Sequence, residues 1–347
     1  MKGKLILEDG SVFWGELLNN IKASGEVVFY TGVTGYQEIL TDSSYCRQIV
    51  VMTYPLIGNV GVADCFMQSR KAFVNGFVIG ELCEYGSNWH MENSLEAFLT
   101  KQGVPCLYNV DTRAITRKIR TAGTMKGIIV PDDSSKAEIE ELFEIPLRKD
   151  MVGEVTTPEK YTIANDGPNV VVIDLGVKKK MLDALSALNC NLIVVPATTS
   201  YDEIISCKPD GIFVSNGPGN PADLQEITST IRKLADAHIP MFGTDLGHQL
   251  IALAFGVKSY KTKFGHHGAN QPVKDIATGK VNITTQCHCY SLEEDSFNGT
   301  PLVITHVSLN DSTVEGIKHK ELPVFSVQYY PDDSLFEKFV DMLKKGE

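Results

Sequence analysis

Residues 240–255 read PMFGTDLGHQLIALAF, an apolar strand, a glycine-flanked turn and an apolar helix in immediate succession. Gly243 and Gly247 stand two positions either side of Asp245. A sharp strand-to-helix turn needs that spacing, because its central residue takes a strained conformation and side chains on the neighbours would clash. The turn has the shape of a nucleophile elbow. The helix that follows aims its N-terminal amides at any anion above residue 245, so the scaffold suits an oxyanion. On the glycine spacing alone, a tight turn without chemistry is the better reading.

Working outward, the chain before the elbow alternates strands with helices. NVVVIDLG (169–176), NLIVVP (191–196), GIFVSNGPG (211–219) and PMFGTDLG (240–247) read as strands. Helical patterns run through KKKMLDALSALN, from Tyr201, and through EITSTIRKLADA. Continuous apolar strands separated by helices predict a parallel sheet covered on both faces. From about Lys258 the pattern returns to short strands such as KVNITTQ, PLVITHVSL and PVFSVQYY. The first part differs: KLILE, the turn dipeptide Asp9-Gly10 and SVFWGEL predict an opening hairpin, and further β-like runs follow at GEVVFYTG and QIVVMTYP. Helices are expected over SLEAFLTKQG and over DTRAITRKIRTAG, the second ending on Gly123. Between the two patterns, 151–168 is aperiodic and carries Pro and Gly, as a surface linker does. The expected organisation is a strand-rich domain over 1–150, a linker over 151–168 and an α/β domain with a mainly parallel central sheet over 169–347.

Composition excludes several classes. With 347 residues, 43% hydrophobic and 22% charged, the chain fits two globular domains, and no apolar run reaches the ~18 residues of a membrane span. The start MKGKLILEDG meets acidic and turn residues before any apolar h-region, so a cytoplasmic location is expected. A net charge of −11 without a basic cluster argues against nucleic acid or an anionic membrane as partner. The cysteines at 46, 65, 83, 106, 190, 207, 287 and 289 lie mostly in apolar segments, the pattern of buried thiols rather than a disulfide framework.

Several stretches together carry a resemblance that covers nearly the whole chain: TGVTGYQEILTDSSYCRQIV with TYPLIGNVG (53–61), DTRAITR (111–117), SNGPGNP (215–221), GHQLIALAFG (247–256) and KFGHHGANQPVKD (263–275). They resemble the small subunit of carbamoyl-phosphate synthetase, and the C-terminal half resembles the wider class I glutamine amidotransferases. The resemblance implies a Cys–His–Glu triad that hydrolyses glutamine. It also implies a tunnel that passes ammonia to a large subunit, which makes carbamoyl phosphate from bicarbonate and two ATP for arginine or pyrimidine biosynthesis.

The departures from that pattern fall on the chemistry. The family's elbow reads Gly-Ile-Cys-Leu-Gly-His, where this chain has Thr244 and Asp245 for Ile and Cys. Its Gln-Gly-His-Pro-Glu becomes Gln328-Tyr329-Tyr330-Pro331-Asp332, so Tyr330 stands for the general base and Asp332 for the Glu that orients it. A carboxylate is a weak nucleophile toward an amide, because the anhydride it would form reverts more easily than ammonia leaves. A phenol of pKa ~10 is a poor proton acceptor at neutral pH. Triad members act as a unit, so these replacements predict a glutaminase fold with a degenerate active site and no hydrolysis above background.

The remaining positions of the family's glutamine pocket are Ser44, Gly217, Gly219, Leu246 and Gln249, which match it, and Cys287, Cys289 and Tyr290, which replace its Asn-His-Gly-Phe loop around His288. Tyr329 replaces a Gly that lets a ligand approach, so half a pocket is expected. In the family the strand end at 215–219 supplies the oxyanion hole. Cys287-His288-Cys289 is not read as a metal site, because adjacent strand residues point to opposite faces and no second pair has zinc-site spacing. His266-His267 is expected to be a structural pair on a turn. No Gly-Lys-Ser or Gly-Lys-Thr motif supplies an ATP site, and no cofactor is expected. The chain is therefore expected to be a scaffold or regulatory partner of an ammonia-using large subunit. The alternative is a hydrolase with Asp245 as elbow nucleophile, for which only His248 or His288 could activate the water.

Overall fold

The computed structural model describes residues 1–147 and 149–344. Residues 148 and 345–347, which the sequence assigned to the first and second domains, lie outside the described residues. The chain divides into two compact units, Met1–Arg148 with Lys263–Gly268, and Lys149–Thr262 with Ala269–Glu347.

The first unit is built on a closed barrel. Its strands are β1 (Lys2–Leu7), β2 (Val12–Leu17), β3 (Ala23–Tyr30), β4 (Gln48–Met52), β6 (Gly76–Val78), β8 (Cys106–Tyr108) and β9 (Met125–Pro131), in the order β1-β2-β8-β6-β4-β3-β9. β5 (Leu56–Ile57) and β7 (Glu81–Leu82) pair separately. The predicted hairpin forms: β1 and β2 are antiparallel and Gly10 takes φ 84° in the turn. Period-two alternation fills the interior with Leu5, Leu7, Val27, Phe29, Ile49, Val51 and Ile129.

Among the described residues, the α-helices that accompany the barrel are α1 (Tyr36–Leu40), α2 (Leu95–Gln102), α3 (Thr112–Ala122) and α4 (Lys136–Glu144). Asp111 caps α3 by accepting the Ala114 N–H at 2.9 Å, and Gly123 ends it at φ 100°. Ile115 and Ile119 of α3 enter the barrel core, and each contributes about 1.5–3 kcal/mol of apolar burial.

The second unit holds a ten-stranded sheet. Its strands are β10 (Tyr161–Ile163), β11 (Asn169–Asp174), β12 (Asn191–Pro196), β13 (Gly211–Val214), β14 (Met241–Thr244), β15 (Ser259–Asp275), β16 (Val281–Leu292), β17 (Leu302–Ser308), β18 (Val314–His319) and β19 (Val324–Val327). The order is β10-β12-β11-β13-β14-β19-β18-β17-β15-β16. β12, β11, β13, β14 and β19 are mutually parallel and form the centre. Antiparallel pairing begins at β10 on one side and at β18 on the other.

Among the described residues its α-helices are α5 (Val152–Val155), α6 (Lys179–Ala187), α7 (Tyr201–Ser206), α8 (Gln225–Asp236), α9 (Leu246–Ala254) and α10 (Asp333–Lys344). Successive strand residues supply opposite faces. Val171, Ile173, Ile212 and Val214 pack with α7, α8 and α9, while Val170, Val172, Phe213 and Phe242 pack with α6 and α10. Both faces are thus covered, which is why the central strands read as unbroken apolar runs.

Three expectations change. The stretch 151–168 is not a surface linker: Val152 and Val155 of α5 are buried and β10 pairs with β12. The Thr157 N–H donates to buried Asp174 at 2.7 Å and Thr156 Oγ1 donates to the Asp174 carbonyl at 2.6 Å. These anchors are single residues, which leave no periodic signal. The strands after Lys258 are not all short, since β15 has 17 residues and β16 has 12. His266 and His267 accordingly lie within β15 rather than on a turn. All eight cysteines are free, and Cys65 is exposed although most are buried. No helix among the described residues is long and apolar enough to cross a membrane.

Candidate active site

The loops at the carboxyl ends of β11, β13 and β14 converge, the place where open α/β sheets bind ligands. Asp245 sits there between β14 and α9 with φ 52° and ψ −113°, a strained conformation for a residue with a side chain. The flanking glycines are sterically required. A Cβ on Gly247 would stand 2.2 Å from the Val214 carbonyl oxygen, and one on Gly243 would stand 2.5 Å from Ile251 Cδ1. The turn is further tied by the Asp245 N–H donating to the Val327 carbonyl at 3.0 Å and the Gly247 N–H donating to the Ser215 carbonyl at 3.0 Å.

Asp245 is only 1% exposed. Its carboxylate accepts from Gln328 Nε2 at 3.2 Å and from the Gly217 N–H at 3.4 Å, long for such a bond. It also lies at the N-terminus of α9, where the helix dipole favours negative charge. The Gly217 loop is fixed from below: Ser215 Oγ accepts from the Leu175 N–H at 2.9 Å, and Asn216 Nδ2 donates to the Gly176 carbonyl at 3.0 Å. Gln328 is in turn held by Gln249, whose Nε2 donates to Gln328 Oε1 at 3.0 Å and to the Tyr290 carbonyl at 2.8 Å.

The other two triad positions are occupied by structure. Tyr330 is partly buried, with the Lys178 ammonium 4.0 Å from its ring centroid, a cation–π contact. Asp332 is exposed at the start of α10, where its carboxylate accepts from Ser334 Oγ at 2.6 Å and from the Leu335 N–H at 3.3 Å. It serves as a helix cap. Tyr329, expected to fill ligand space, is instead buried with Phe242 and Phe325 and meets the His306 ring edge-on at 5.9 Å. Burial pushes its phenol above the usual range. The aromatic ring finds apolar company in the core, and only the Tyr329 carbonyl turns to the elbow, accepting from Thr244 Oγ1 at 2.8 Å.

His248 and His288 were the histidines open to the aspartate hydrolase. His248 is fully buried, its Nδ1 is 2.9 Å from Ser326 Oγ, and among the described residues its Nε2 has no hydrogen-bond partner, so it does not bond Asp245. Desolvation holds it neutral, lowered to about 3. The His288 Nδ1–H donates to the Tyr290 carbonyl at 2.8 Å, and Nε2 lies 3.2 Å from Gln286 Oε1.

Of the pocket positions, Gly217 and Gln249 join the Asp245 network directly. Leu246 is buried in the core. Gly219 takes φ 105° with Met151 Cε as the nearest neighbour of a Cβ at 3.6 Å. Cys287 and Cys289 are buried on β16 and Tyr290 is partly buried there. Ser44 belongs to the first unit, where it is buried in a single helical turn and its N–H donates to Asp42 Oδ1 at 3.0 Å.

The family model for the carbamoyl-phosphate synthase small chain, CPSase domain, matches residues 5–129, and that for class I glutamine amidotransferase matches residues 171–346. The carbamoyl phosphate synthase small chain of Caldanaerobacter subterraneus subsp. tengcongensis is 48% identical over 99% of this chain and 97% of its own. This chain belongs to the carbamoyl-phosphate synthase small chain family. Another member of the family, the pyrimidine-specific small chain of Bacillus subtilis, is 44% identical over 100% of this chain and 97% of its own. Among solved structures, a glutamine amidotransferase of Thermotoga maritima aligns with 52% of this chain and 86% of its own at TM-score 0.39 and 16% identity.

For a member of this family, two site residues escaped the sequence reading. Gln328 stands in the sequence only as the matching first residue of the family's Gln-Gly-His-Pro-Glu stretch, although a buried amide beside Asp245 is what a buried carboxyl group requires. Lys178 was hidden in the run Lys178-Lys179-Lys180, which reads as an exposed helix start.

Proposed function

We propose that this chain is a small chain that does not hydrolyse glutamine, keeps the amidotransferase scaffold, and supports or regulates a large partner chain that makes carbamoyl phosphate from free ammonia. The observation that carries the reading is Asp245. At the elbow position a carboxylate replaces the family's thiol and accepts the Gly217 N–H, a donor from the loop that forms the family's oxyanion hole. A carboxyl group is a weak nucleophile toward an amide, and here it already takes up a backbone donor that the developing oxyanion would need. Tyr330 beneath an ammonium and Asp332 capping a helix offer no base and no orienting group for one. The complex would act in the cytoplasm, its product would serve arginine or pyrimidine synthesis, and the small chain would carry no cofactor.

The test is glutamate release from glutamine by the purified chain, alone and with the large chain from the same genome. Release at the no-enzyme rate is expected. Steady release that Asp245→Ala abolishes would overturn the reading and favour a working Asp245 nucleophile.

A further inference from the structure

The chain has seven arginines, of which six fall in described residues. Arg47 has a partner, Arg70 lies over the Phe73 ring at 5.7 Å, and Arg232 is held by Asp236 at 3.0 Å. The other three, Arg113, Arg117 and Arg120, are all exposed and all on α3. Among the described residues none of the three makes an ion pair, hydrogen bond or ring contact.

Their spacing of i, i+4 and i+7 puts them on one helix face, within about 60° and about 10 Å of each other along the axis. The opposite face carries Thr112, Ile115 and Ile119 into the unit's interior, so the stripe is fixed by packing. Nearby charges are already used: Lys118 pairs with Asp9 at 2.5 Å, and the Asp111 carboxylate caps the helix. In a chain with 43 Asp and Glu against 32 Lys and Arg, carboxylates for these guanidiniums are plentiful, yet among the described residues none pairs with them.

Each guanidinium presents a planar fork of donors that matches a carboxylate, and arginine is enriched at protein interfaces. Held on a preorganised helix, the three lose little freedom on binding. A nucleic acid is the poorer occupant: a net charge of −11 repels a polyanion, and a stripe of about 10 Å neutralises few phosphates.

We propose that the outer face of α3 is a docking stripe for a carboxylate-lined surface of the large partner chain, an inference that rests on the pairing in the proposed function. The experiment measures the affinity of the full-length chain for the large chain from the same genome. It compares wild type with the combined variant Arg113→Glu, Arg117→Glu, Arg120→Glu. A control carries the same charge change on other exposed helix positions, Lys101→Glu, Lys136→Glu and Lys233→Glu. Like charges brought together at an interface predict binding weakened ~100-fold or more for the α3 variant and little changed for the control. Unchanged thermal melting excludes unfolding as the cause. Equal binding by wild type and α3 variant would overturn the stripe and leave the pairing intact, and an equal loss in the control would reduce it to bulk charge. A wild-type chain that fails to bind the large chain would overturn both.

Discussion

Replacing Gly247 by alanine tests whether the elbow is built as tightly as its geometry requires. The new methyl carbon would stand 2.2 Å from the Val214 oxygen, 2.7 Å from the Val214 carbonyl carbon and 2.8 Å from the Ser215 oxygen. All three are backbone atoms of the strand end and loop beneath α9, so no side chain can turn aside. Relief needs a shift of roughly 1 Å between layers packed at crystal-like density. Overpacking of this kind costs about 1–3 kcal/mol, and the displaced Gly247 N–H bond to the Ser215 carbonyl adds ~1 kcal/mol. A loss of about 3–4 kcal/mol lowers the melting temperature of a unit this size by about 10 °C. Gly279 is the control, because its φ is 71° but a Cβ there meets nothing within 4 Å, so alanine costs only about 1 kcal/mol of backbone strain. Thermal unfolding followed by far-ultraviolet circular dichroism reads both variants. Gly247→Ala melting no lower than Gly279→Ala would refute the steric account of the elbow.

Two further outcomes follow from the same site. Asp245→Cys alone should leave glutamine hydrolysis at background, because a thiol of pKa ~8.5 without a histidine is mostly protonated at neutral pH. Strong labelling of that variant by a glutamine-analogue electrophile would contradict this. His248 is held neutral in the fold, lowered to about 3, whereas in the unfolded chain it takes up a proton near pH 6.5. The unfolded state therefore binds more protons between those values, so stability is complete above about pH 6.5 and falls as pH drops toward about 3. His248→Gln should reduce, without abolishing, the fall in melting temperature between about pH 7 and about pH 5, because burial also lowers His267, His306 and His319 and few carboxylates titrate there. An unchanged slope would reject the assignment.

The parallel centre of the sheet was legible because strands buried on both faces must be apolar throughout, as Val170–Ile173 and Ile212–Val214 are. The elbow was legible because its two glycines answer to steric limits set by neighbouring backbone. What sequence alone did not convey depends on single contacts between distant residues. The packing of 151–168 rests on Asp174 and on β12, and the end of β15, Val273–Asp275, pairs with β17 beyond the intervening β16. At the site, the substituted triad was readable residue by residue, but the fate of each replacement was not. Tyr329 turns into the core, Tyr330 meets Lys178 and Asp332 caps α10 because each side chain takes the nearest partner that suits it.

The most direct test of a small chain without glutaminase activity is the nitrogen source its complex can use. Carbamoyl-phosphate synthesis should be measured for the large chain with this small chain, supplied with ATP, bicarbonate and either ammonium or glutamine. Synthesis from ammonium with none above background from glutamine is the predicted result, and glutamine-dependent synthesis at a rate comparable to that with ammonium would contradict the account.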